Sequence, residues 1–186
     1  MVVQAIWESI AQITPKRVIA GYSQLIQRHI DKKTDNAFLI TFMFKSLAGS
    51  RQSVLMRMNN EVQRVYSTFV TRAVRNPRSP TQEALLPFLI TVPDRPVFKR
   101  KKQKLSDVRI NGGLHIHGIL CVPWKCRLKV DVPTHFVERK ALYTKNRLLR
   151  IHVEPIYSSN VAKVVDYAFK ALKNKNATPD DIQIYR

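Results

Sequence analysis

Residues 111–120 read NGGLHIHGIL. Asn-Gly-Gly is a turn signal, because asparagine and glycine accept a left-handed backbone at least cost. After the turn the chain alternates as a strand does. Side chains two apart share a face in an extended chain, so His115 and His117 project together while Leu114, Ile116 and Leu120 face the other way, toward a helix. Two imidazoles side by side on a strand make half of a site for a divalent metal ion. A third ligand must come from elsewhere. Residues 105–122 read as a hairpin with two possible turns. A three-residue Asn111-Gly112-Gly113 turn with a bulge puts Asp107 across from His117 on the same face; a two-residue Asn-Gly turn puts it on the opposite face. Taken alone, the histidine pair is equally well explained by ordinary hydrogen bonding.

Working outward, residues 36–45 (NAFLITFMFK) alternate Phe38, Ile40, Phe42 and Phe44 with Leu39, Thr41 and Met43, so both faces are largely apolar and the segment reads as a central strand. From Arg51 to Arg75 the apolar residues Leu55, Met58, Val62, Val65 and Phe69 recur every three or four positions, which predicts an amphipathic helix that Pro77 and Pro80 end. LPFLITV (86–92) is a strand closed by Pro93 and Pro96, LLRIHVEPIY (148–157) is another, and residues 159–174 form a last helix. Upstream, Ile6, Ile10 and Ile13 sit at helical spacing before Pro15, and a second helix runs to about Ile30. Neither an internal repeat nor a composition shift marks a boundary. Strands and helices come in mixed order with hairpin-type neighbours, which predicts a single α+β domain.

The 186 residues carry 32 Lys and Arg against 13 Asp and Glu, a formal net charge of +19. Such an excess attracts polyanions, nucleic acid first and anionic membrane second. The two cysteines, Cys121 and Cys126, have no second pair to complete a zinc site and form no disulfide framework. The N-terminus carries an acidic residue early and basic residues late, the reverse of a secretory signal, and no apolar run approaches a membrane span. A cytoplasmic protein is expected. The densest basic run, VFKRKKQKLSD (97–107), leads straight into the histidine strand, so Lys99, Arg100, Lys101, Lys102 and Lys104 read as a loop that tracks a phosphate backbone.

In the last helix Val161, Val164, Val165, Ala168 and Leu172 share one stripe. Tyr167 lies off it, in the sector of Lys163, Lys170 and Asn174, with lysines at the neighbouring i−4 and i+3 positions. A phenol ordinarily ionises near pH 10; adjacent ammonium groups favour the phenolate and also pair with phosphate oxygens. That chemistry suits attack on a phosphodiester, although a tyrosine at a helix edge among lysines is also a common surface arrangement.

His-hydrophobic-His on a strand, followed by Tyr-x-x-Lys on a helix, resembles the HUH endonucleases, specifically the single-tyrosine initiators of rolling-circle replication found on plasmids and in single-stranded DNA viruses. FLITFMF (38–44) resembles their first-strand motif, LHIHGIL (114–120) the metal-binding strand and YAFK (167–170) the nucleophile motif. Asp107 stands ahead of His115 where some viral initiators carry an acidic metal ligand. The likeness spans about residues 36–174. Conjugative relaxases place their tyrosine before the histidines. Two-tyrosine initiators and single-tyrosine transposases need Tyr, or Gln or Asn, where this chain has Ala171. No G-x-x-x-x-G-K-[ST] phosphate loop is present, so the chain is either a stand-alone nicking domain or a piece of a longer protein.

The resemblance implies a central antiparallel sheet of about five strands with flanking helices, of ferredoxin-like derivation. It implies residues 36–186 as the nicking and joining domain, preceded by an N-terminal helical extension over 1–35. It implies Mg²⁺ or Mn²⁺ held by His115, His117 and Asp107, Tyr167 as nucleophile, and Lys170 steering the phosphate. It implies single-stranded or hairpin origin DNA as the substrate, gripped by the basic loop and Lys163, with a helicase of a bacterial or archaeal host as a further partner and no membrane. Two other readings stay open: a non-catalytic basic nucleic-acid-binding protein, and a metal-dependent phosphodiesterase that uses water.

Overall fold

The structure, a computed structural model, describes residues 14–31, 35–95 and 110–186. The helix expected over 3–13, Asp107, and the basic residues Lys99, Arg100, Lys101, Lys102 and Lys104 lie outside the described residues.

In chain order the elements are α1 (Pro15–Asp31), β1 (Asp35–Phe44), α2 (Arg51–Ala73), β2 (Phe88–Asp94), β3 (His115–Pro123), α3 (Val132–Glu138), α4 (Lys140–Tyr143), β4 (Leu148–Ile156), α5 (Val161–Ala168), α6 (Lys170–Lys173) and β5 (Gln183–Tyr185). The five strands form one antiparallel sheet in the order β4-β1-β3-β2-β5. From β1 to β4 the chain follows the β-α-β-β-α-β path of ferredoxin-like domains, with β5 added beyond β2. This is the expected α+β fold.

A strand that is apolar on both faces has to be covered on both. On one face Phe38, Ile40, Phe42, Ile116 and Leu120 meet Met58, Val62, Val65 and Phe69 of α2, with Phe136 and Tyr143 from α3 and α4. Ser50 starts α2, its hydroxyl accepting from the Ser53 amide at 3.3 Å. On the other face Ala37, Ile90, Val92, Ile119 and Cys121 meet Ile19 and Ile26 of α1 and Val165, Ala168 and Leu172 of the last helices. Residues 15–31 are therefore built into the second core.

Three expectations need correction. The first is the hairpin over 105–122. β3 pairs with β1 along one edge and with β2 along the other, and the positions across from His117 belong to Thr41 and Val92. Those two residues, and not Asp107, are the cross-strand neighbours of His117. The second is the end of β2, which continues through Pro93 to Asp94. Proline lacks only the amide donor, and β5 pairs with Leu89, Ile90 and Thr91 alone, so at Pro93 the outer edge asks for no hydrogen bond. The third is the last helix. It is interrupted at Phe169 (φ −100°, ψ 13°), whose ring is fully buried and stacks on Tyr22 at 5.2 Å between centroids. The segment over 123–147, whose sequence shows no clear periodicity, holds α3 and α4.

Gly118 lies at the middle of β3, opposite Ile40 on one side and Thr91 on the other. A Cβ there would come within 2.8 Å of both the Ile90 carbonyl oxygen and Thr91 Cγ2. Gly118→Ala is expected to cost about 1–3 kcal/mol of stability, seen as a lower urea midpoint at unchanged slope.

Candidate metal centre

Antiparallel partners point to the same side of a sheet, so the register of β2 and β3 sets Asp94 directly beside His115, while His117 lies between Val92 and Thr41. The three side chains converge. His115 Nε2 and His117 Nε2 are 3.0 Å apart, and Asp94 Oδ2 is 3.5 Å from the first and 3.6 Å from the second. One divalent ion reaches all three corners of so small a triangle at an ordinary metal–ligand distance of about 2.1 Å.

Second contacts orient the imidazoles. His115 Nδ1 lies 2.8 Å from the Gly113 carbonyl oxygen, which can only accept, so Nδ1 carries the hydrogen and Nε2 offers its lone pair. His117 Nδ1 sits 2.9 Å from Thr41 Oγ1 and by donating to that hydroxyl also frees Nε2. Two lone pairs at this separation repel unless a proton or a cation joins them. His117 is a poor host for the proton, since burial, then the neighbouring His115 and Lys170, hold its pKa far below the usual imidazole range.

Gly113 owes its position to the turn before β3. Asn111, Gly112 and Gly113 all have left-handed backbones (φ 54°, 59° and 76°), which asparagine and glycine alone adopt readily. The Asn111 side chain then anchors the turn: its Oδ1 accepts from the Leu47 amide at 2.7 Å and its Nδ2 donates to the Lys45 carbonyl at 2.9 Å.

The Asp94 side chain is completely buried. Its Oδ2 meets Lys170 Nζ at 2.7 Å, and its Oδ1 has no hydrogen-bond partner among the described residues. Oδ2 is also the oxygen that faces the two imidazoles, and a buried carboxylate beside two imidazole lone pairs is a donor set that fits a divalent cation. Lys170 also lies over the Tyr167 ring at 4.2 Å from its centroid, and that ring is 5.2 Å from the His117 ring. Tyr167 is 48% exposed, so its ring is reachable from solvent.

His115, His117, Tyr167 and Lys170, singled out in the sequence, are thus brought together. Lys163 is exposed, one helical turn before Tyr167. Cys121 shares the histidine face but is buried within the apolar layer, where burial pushes its thiol pKa up. Asp94 and Thr41 were missed. Extending the alternation of Ile90 and Val92 by one step would have found Asp94, but Pro93 reads as a stop. Thr41, the one polar residue inside FLITFMF, carried the other signal.

Comparison with family models, curated proteins and solved structures gave no match for this chain. Among the described residues no helix is long and apolar enough to cross a membrane.

Mn²⁺ at a hundredfold excess over its dissociation constant should stabilise the protein by about 2.7 kcal/mol, roughly 5–10 °C in melting temperature, and Asp94→Ala should abolish that shift. Lys170→Met should act oppositely on the two states. Leaving the Asp94 carboxylate unpaired lowers metal-free stability by about 2–3 kcal/mol, the modest end of the range because Lys170 keeps some exposure, and the rise on adding Mn²⁺ should exceed that of the wild type. Thermal melts with and without metal check both.

Proposed function

We propose that this chain nicks and rejoins single-stranded DNA through Tyr167, in the manner of the HUH endonucleases its motifs resemble. The observation that carries the reading is the placement of a half-exposed tyrosine, with Lys170 against its ring, beside the Asp94, His115 and His117 cluster. The charge of +19 and the likeness of three ordered motifs add to it.

In this mechanism His115, His117 and Asp94 hold the metal. Their two imidazoles suit Mn²⁺ better than Mg²⁺, which prefers an all-oxygen shell. When bound, the ion polarises the scissile phosphate and offsets charge that develops on its oxygens. Tyr167 Oη attacks phosphorus in line with the 3′ oxygen. The new Tyr–O–P bond forms as the P–O3′ bond breaks, and the phenolic proton ends on the 3′ oxygen, leaving a 5′-phosphotyrosine and a free 3′-OH. Lys170, 4.2 Å from the centre of the Tyr167 ring, is close enough to steady the phosphate. The adduct keeps the energy of the phosphodiester, so a second 3′-OH can reverse the step without ATP.

The test is a denaturing gel of protein incubated with Mn²⁺ and a labelled pool of single strands with randomised hairpin loops. The wild type should yield a covalently shifted band that Tyr167→Phe lacks and that EDTA suppresses. Cleavage that survives Tyr167→Phe would assign the nucleophile to water instead. Binding without cleavage or adduct would leave a basic nucleic-acid-binding protein.

A further inference from the structure

His115 has a second neighbour besides the cluster. A cleft of about 320 Å³ opens beside it, with Met43, Ile110 and Leu149 among its apolar walls and Lys140 and Arg150 also lining it. Ile110 and Leu149 are 37% and 45% exposed, large apolar side chains left facing solvent in a strongly basic chain. Arg150 Nη2 rests 2.8 Å from Met43 Sδ, and neither Arg150 nor Lys140 pairs with a carboxylate among the described residues.

From this combination we infer that the cleft binds an unstacked nucleobase of the single strand, next to the phosphate held at the metal cluster. Free phosphate or a divalent ion has no use for apolar walls, and a purely apolar ligand has no use for two unpaired cations. A nucleotide uses both, its flat base against Met43, Ile110 and Leu149 and its backbone toward Lys140 and Arg150. Because His115 lines both the cleft and the cluster, the base belongs to a nucleotide flanking the scissile bond. The inference rests on the reading of the chain as a single-strand nuclease and adds to it a site at which bases themselves, and not only phosphates, contribute to binding.

A homopolymer avoids the need to know the origin sequence. The probes are (dT)₁₂ and a twelve-unit abasic strand of equal charge, titrated by fluorescence anisotropy into the whole chain carrying Tyr167→Phe so that no strand is consumed. The strand with bases should bind about tenfold or more tightly. Adding Ile110→Ser and Leu149→Ser should erase most of that preference while leaving affinity for the abasic strand within about twofold, since both positions are exposed and neither carries charge; an unchanged Mn²⁺ melting shift verifies the fold. Equal binding of the two strands by the parent protein would overturn the inference and leave the nuclease reading standing. A preference that persists in the serine variant would place the bases elsewhere and also overturn it. Failure of both strands to bind at low salt would sink the nuclease reading and this inference together.

Discussion

A carboxylate taken wholly out of water must be met by positive charge, and at Asp94 that requirement organises the rest of the centre. The cation that meets it is Lys170, at the start of α6. The ion pair ties the last helices to the end of β2, and the interruption at Phe169 makes the tie possible by turning that ring into the core while Lys170 is directed back to the sheet. Tyr167 is three residues away, so the contact that neutralises the carboxylate also places the phenol ring beside His117.

The imidazoles depend on equally specific support. His117 is oriented by a threonine on the neighbouring strand and His115 by a backbone carbonyl just before its own strand. Neither support is charged. Each therefore fixes which nitrogen bears hydrogen without adding charge to a pocket whose buried acid, Asp94, is already paired. Below the cluster the face becomes apolar through Val92, Ile119 and Cys121.

What the sequence disclosed follows the range of the interactions involved. The two-sided strands β1 and β3 and the long helix α2 were legible because their periodicity is local, and so was the common face of His115 and His117. Strand neighbours are not local. The Asn-Gly-Gly turn suggests a hairpin to anyone reading along the chain, yet the partner of β3 is β2, across the connection from 95 to 114, and β1 fills the other edge. With that pairing hidden, Asp94 could not be seen beside His115, and the nearest acid in sequence, Asp107, stood in for it. β5, three residues long, was illegible for another reason: too short to show alternation, it exists because β2 offers it an edge.

The connection between β2 and β3 leaves the sheet at one candidate ligand, Asp94, and returns at the next but one residue after Leu114's predecessor turn, at His115. Its departure is held by the Lys170 ion pair and its return by Asn111, which grips Lys45 and Leu47 in the manner of an added rung of sheet. Each end of the connection is thus clasped to a different part of the fold, so the spacing between Asp94 and His115 is set by the sheet and its fastenings.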